Sequence, residues 1–130
     1  MPKTKVRPYP QSLLKRMAET SGIIMKAHTL VALGMPELAL SAWLAAASGE
    51  EQVAPRLETL ERDQEAAVHR ISAASCYQHA GELAKAINLY RAALAGPLPE
   101  HTRKETEQLL AACLVRFARS ANGNAAPRRP

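Results

Sequence analysis

The stretch GELAKAINLYRAALAG, residues 81 to 96, has a near copy earlier in the chain, GMPELALSAWLAAASG, residues 34 to 49. Aligned without a gap, Gly34 falls on Gly81, Ala39 on Ala86, Leu40 on Ile87 and Trp43 on Tyr90. Ala45 and Ala46 fall on Ala92 and Ala93, and Gly49 on Gly96. Glycine at the head of each stretch supplies the left-handed backbone that ends a preceding helix. Ala39 and Ala46, like Ala86 and Ala93, stand seven apart and line one helix face, where small side chains admit a close neighbour. Trp43 and Tyr90 set one large ring into the space between hairpins. Each stretch therefore reads as the second helix of an αα-hairpin, and the hairpin repeats with a period of 47 residues, from Gly34 to Gly81.

The flanking sequence extends this reading to five helices. Leu13, Met17, Ile24, Ala27 and Val31 recur at helical spacing, with a bend expected at Ser21-Gly22. Gly34 ends that helix, and Pro36 suits the first turn of the next, expected to run to Ser48 and stop at Gly49. Pro55, followed by Glu58 and Glu61, marks the start of a third helix of about 25 residues ending at Gly81. Glu58 and Arg62 would then form an i,i+4 pair on its surface. A shorter helix follows to Leu94, and GPLPE breaks the chain. Thr102 and Glu105 suggest a capping box for the last helix, which carries Leu109, Leu110, Cys113, Leu114 and Phe117 and closes at Asn122-Gly123. Strand signals are absent. The expected organisation is a flexible basic arm at 1–10, one all-α domain at 11–121 and a disordered tail at 122–130.

Composition narrows the function classes. A chain of 130 residues with 47% hydrophobic residues has material for one core. No apolar run reaches the roughly 18 to 20 residues of a membrane span, and no apolar segment follows the basic N-terminus as in a secretory signal. Cys76 and Cys113 make no disulfide framework, so a reducing cytoplasm is expected. The net charge of +5 belongs to the ends: Lys3, Lys5, Arg7, Arg128 and Arg129 account for it, leaving 12 basic against 12 acidic residues between them. A basic face is the minimum that nucleic-acid binding requires, and the body shows no obvious charge excess to supply one.

At this point the sequence resembles the tetratricopeptide repeat family. In ASCYQHAGELAKAINLYRAAL the family's small residue corresponds to Ala74, its aromatic to Tyr77 and its turn glycine to Gly81. Ala86, Tyr90 and the pair Ala93-Leu94 match its second helix, and Pro97 or Pro99 stands near its final proline. The first unit agrees at Ala27, Gly34, Ala39, Trp43 and Ala46, with Leu30 in place of the aromatic. The likeness spans about residues 20 to 99. It departs from the family in period, which is usually 34 residues, and in Arg70 and Ala73, where the family has a Trp-Leu pair. An unrelated array of helical hairpins would use the same small-residue logic. The resemblance implies a right-handed stack of two hairpins plus a capping helix, and a groove for a polypeptide partner lined by the first helices. Carried across, the groove positions are Ser21, Ile24, His28 and Val31, then Val68, Ile71, Ser75 and Gln78. Ile24 and His28 stand where a carboxylate clamp would need Lys and Asn, so an apolar helix or extended segment is the expected ligand.

Other constellations are weaker. Cys76 and His79 share a helix face, but a structural metal site needs four ligands and no second pair exists. His28, His69 and His101 have no Ser/Asp or Cys partner set at a recognisable spacing. Six glycines all suit helix bends or ends, and none builds a phosphate loop. No cofactor, metal or catalytic residue is expected. The reading is a non-enzymatic interaction module, an adaptor or chaperone-like scaffold, that binds another protein or itself. The alternative is a nucleic-acid-associated protein that contacts phosphates through its basic tails; a metal-dependent sensor or small enzyme comes third.

Overall fold

A computed structural model of the chain describes residues 7–125, with side chains through residue 121. All regular structure among the described residues is helical: α1 Gln11–Ala32, α2 Pro36–Thr59, α3 Asp63–His79, α4 Leu83–Leu94 and α5 Glu100–Ala125. This is the all-α fold of five helices that the sequence predicts. None of these helices is long and apolar enough to cross a membrane.

Three of the four connections are the same device. At Gly34, Glu61 and Gly81 the backbone enters the left-handed region, with φ of 77°, 60° and 83°. The amide after each reaches back five residues, Met35 to the Leu30 carbonyl, Arg62 to Leu57 and Glu82 to Tyr77, at 2.8–2.9 Å. Each left-handed residue donates three residues back, to Val31, Glu58 and Gln78. This double bond pattern is the Schellman ending, which satisfies carbonyls that a helix terminus otherwise leaves open. Glycine occupies two of the three positions, as left-handed geometry prefers, and Glu61 occupies the third at a cost of roughly 1–2 kcal/mol.

That third turn moves the helix boundaries expected from sequence. Gly49 and Pro55 do not bracket a loop; both lie inside α2, which runs unbroken to Thr59. Gly49 is there because a Cβ at this position would collide with Thr20 Oγ1 across the α1–α2 contact. Pro55 removes one helical hydrogen bond, and burial of its neighbours Val53, Ala54 and Leu57 against Leu13 and Ala66 offsets the loss. The long helix is therefore the second of the first hairpin, and α3 is shorter than expected. Glu58 and Arg62 fall on opposite sides of the turn and take other partners, Arg70 and Glu65, each at 2.9 Å. Ser21-Gly22 does not interrupt α1. Thr102 sits within the first turn of α5 and makes no capping box; α5 passes through Asn122-Gly123 to Ala125. The C-terminus of α4 is capped instead by Arg103, whose guanidinium donates to the Leu94 and Gly96 carbonyls at 2.7 and 2.9 Å.

Each helix packs chiefly on its neighbours along the chain. His28 of α1 meets His79 of α3, and a recess between α3 and α5 is lined from both, so α1, α3 and α5 form one layer with α2 and α4 behind it. Between the layers lies the main core, built on Ala27, Ala39, Trp43, Ala46, Ala74, Tyr77, Ala86, Tyr90 and Cys113. A second cluster, Leu13, Val53, Ala54, Leu57 and Ala66, closes the end near the α2–α3 turn.

Candidate partner-binding face

The two rings of the repeat occupy matching places. Trp43 lies between hairpins, with His28 of α1 edge-on at 4.8 Å and His79 of α3 stacked on it at 4.2 Å. Tyr90 is wholly buried one hairpin later and donates its hydroxyl to Gln78 Oε1 of α3 at 2.7 Å. Burial pushes the Tyr90 phenol up to about 12, with the nearby thiols of Cys113 and Cys76 adding to the shift. Ala39, Ala46, Ala86 and Ala93 are fully buried, which lets the neighbouring helices close on both rings. Gly34 and Gly81 serve the turns, and Tyr77 is buried in the main core with its hydroxyl on Glu51 Oε1 at 2.6 Å.

The residues expected to line a groove do not form one continuous surface. Ser75 and Gln78 meet His79 of α3 and Leu109 and Arg116 of α5 around a recess of about 420 Å³. Val68 lies at the other end of α3, in a separate recess with Met17, Gln64, Glu65, His69 and Tyr9. Ile24 and Ile71 are half-buried against the main core and act more as its edge than as an open floor. His28 is turned onto Trp43, and Val31 is exposed near the end of α1. His79 is held below the usual histidine range by burial first and by His28 second, so near neutral pH it presents an uncharged ring to the α3–α5 recess.

The recess at Val68 is partly occupied by the chain itself. Residues 7–10 run extended along the α2–α3 turn, where a wholly flexible arm was expected. Arg7 donates to the Thr59 carbonyl at 3.0 Å and pairs with Glu61 at 3.6 Å, and Arg62 donates to the Arg7 carbonyl at 2.6 Å. Tyr9 gives its hydroxyl to Glu65 at 2.5 Å under the Arg62 guanidinium, which lies 4.1 Å from its ring centre. Arg7, counted among the tail cations, is thus engaged. Lys3, Lys5, Arg128 and Arg129, on which the nucleic-acid alternative draws, lie outside the described residues.

A polar group unforeseen from sequence lies between α2 and α3. Glu50, only 6% exposed, accepts from Ser72 Oγ at 2.8 Å and faces His69 Nδ1 at 2.5 Å. Cys76 is buried close by, its thiol pushed up to about 12 by burial first and by the Glu50 charge second. The residue types are those of nucleophilic catalysis, but the order is wrong for it. A base must stand between nucleophile and carboxylate to take the proton, and here the carboxylate stands in the middle and is bonded by both. The protonated thiol beside it is a poor nucleophile and a poor metal ligand. Among the described residues, no three His, Cys, Asp or Glu side chains come together as a metal site would need. The arrangement ties α2 to α3.

Comparison of the chain with family models, curated proteins and solved structures finds no match. The resemblance to tetratricopeptide repeats rests on the residues quoted above.

Proposed function

We propose that this chain is a non-enzymatic protein-interaction module, an adaptor or scaffold of tetratricopeptide-like build, whose binding face is the layer formed by α1, α3 and α5. One observation carries the reading. The side chains that do chemistry are turned on one another, as in Glu50 with His69 and Ser72, while apolar side chains are turned to solvent on α1, α2 and α5, and of these Leu109 of α5 borders the recess on α3. Leu109 stands exposed beside the recess at Ser75 and Gln78, and an apolar side chain open to solvent there is suited to burying a partner's apolar segment. The recess at Ser75, Gln78 and Leu109 gives such a segment a place to begin.

The test is affinity capture from native extract with the wild-type chain, a Leu109→Glu variant and an Asn88→Glu control at an exposed position of α4. Proteins retained by wild type and control but lost with Leu109→Glu support the reading. Retention that ignores Leu109→Glu, or fails with both variants alike, removes the layer of α1, α3 and α5 from consideration.

A further inference from the structure

The N-terminal strap at residues 7–10 is held in the manner of a bound peptide. Arg7 and Tyr9 each precede a proline, which biases both to extended backbone, and Pro10 is itself extended, with φ −60° and ψ 150°. The segment therefore meets the α2–α3 turn already straight, with little conformational freedom left to lose. Its side chains are read one by one. The Arg7 guanidinium lies at the C-terminus of α2, on the Thr59 carbonyl, which no amide of the turn reaches and where the helix dipole favours a cation. The Tyr9 ring lies under Arg62, and its hydroxyl reaches Glu65. Arg62 also donates to the Arg7 carbonyl, so backbone and side chains are both recognised. None of these contacts uses the covalent link to α1. An arginine and a tyrosine two apart in any extended segment would make them equally.

The site is longer than its occupant. Beyond the Tyr9 ring a recess of about 300 Å³ continues between Met17 of α1 and Gln64, Val68 and His69 of α3, and Val68 stands 44% exposed beside it. The strap cannot fill this space, because Pro10 passes directly into α1 at Gln11. Arg62 Nε is buried without a hydrogen-bond partner, the one such side-chain atom among the described residues. A cover that leaves apolar surface open and a buried donor unanswered fits its site incompletely. The arm of a second copy turns into its own α1 in the same way and would fill no more of the recess. A nucleic acid would set phosphates against Glu61 and Glu65, which hold the two anchors. A segment of another protein, with no helix to begin after its tyrosine, runs on past Val68.

We propose that the recess at the α2–α3 turn docks an extended Arg-x-Tyr segment of another protein, and that the chain's own Arg7–Tyr9 strap closes it until such a segment arrives. The partner's arginine and tyrosine take the places of Arg7 and Tyr9, and an apolar residue that follows them lies on Val68 and Met17. A strap tethered in this way competes at an effective concentration on the order of millimolar, which holds down the affinity of the free chain. The probe is a fluorescein-labelled synthetic peptide of sequence VRPYP followed by two leucines, with a twin in which alanine replaces the tyrosine. Fluorescence anisotropy should show the tyrosine peptide binding Tyr9→Ser about tenfold or more tighter than the wild-type chain, with a smaller gain for Arg7→Ala. Both substitutions lie outside every helix. Adding Val68→Glu to Tyr9→Ser should weaken binding about tenfold or more, and adding Leu109→Glu at the far recess should leave it unchanged. The proposal falls if Tyr9→Ser binds no better than wild type, if the alanine twin binds equally well, or if Leu109→Glu removes the binding and Val68→Glu does not. It also falls if sedimentation shows a wild-type dimer that Tyr9→Ser dissolves, since the strap is then exchanged between copies. Its failure leaves the face of α1, α3 and α5 to be judged by the capture experiment alone.

Discussion

Glu61 and Gly81 hold the same backbone shape with different side chains, and the contrast is measurable. Gly81 has open space around its missing Cβ, so only the positive φ opposes a side chain there. Gly81→Ala should cost about 1–2 kcal/mol in urea unfolding. Glu61→Gly should gain up to about 1 kcal/mol, less whatever the exposed Arg7–Glu61 pair contributes. Equal and small effects at both positions would show that backbone strain is not what distinguishes the two turns. Trp43 and Tyr90 illustrate how a repeat constrains residues differently from their type alone. A tryptophan and a tyrosine fill equivalent gaps, yet only the tyrosine has a hydroxyl to place, and Gln78 is positioned to accept from it.

At the scale of the helix, the α1–α2 pair depends on one close approach, at Thr20 and Gly49. Gly49→Ala should destabilise by about 1–3 kcal/mol through overpacking, although alanine is by far the better helix former. Adding Thr20→Ala should restore much of that loss, a non-additive result that chemical denaturation of the single and double variants will reveal. The same residue explains where the helices were legible in sequence and where they were not. Gly34 and Gly81 announce their turns because glycine is the residue that the left-handed conformation favours. Glu61 announces nothing, so the α2–α3 turn is hidden in the sequence, and the breakers Gly49 and Pro55 mimic the boundary it supplies. Burial overrode both. A helix that stops at Gly49 leaves Glu50 in a loop, where its bonds to His69 and Ser72 have no sequence signal. The buried alanine faces and the two rings were readable because their period survives any shift of helix ends. Which of the candidate residues share a surface is legible only in part. Helical spacing assigns residues to a face, but whether Ile71 is floor or core depends on how tightly α3 meets its neighbours.

Across the whole molecule, helices stack in chain order, and α5 lies at one end, held mainly by α4. The N-terminal strap of Arg7 and Tyr9 secures the opposite end by gripping the α2–α3 turn. The two ends are therefore unequally fastened. Cys76 and Cys113 are both unpaired and shielded from solvent, one on a central helix and the other on the buried face of the terminal one. Burial holds both thiols above the ordinary range, so neither reacts readily with iodoacetamide while the fold is closed. This makes the pair a two-channel clock for spontaneous opening. If the terminal helix peels away first, alkylation should mark Cys113 well before Cys76 in mass-spectrometric time courses under native conditions; a single shared rate would mean that the protein comes apart as one unit.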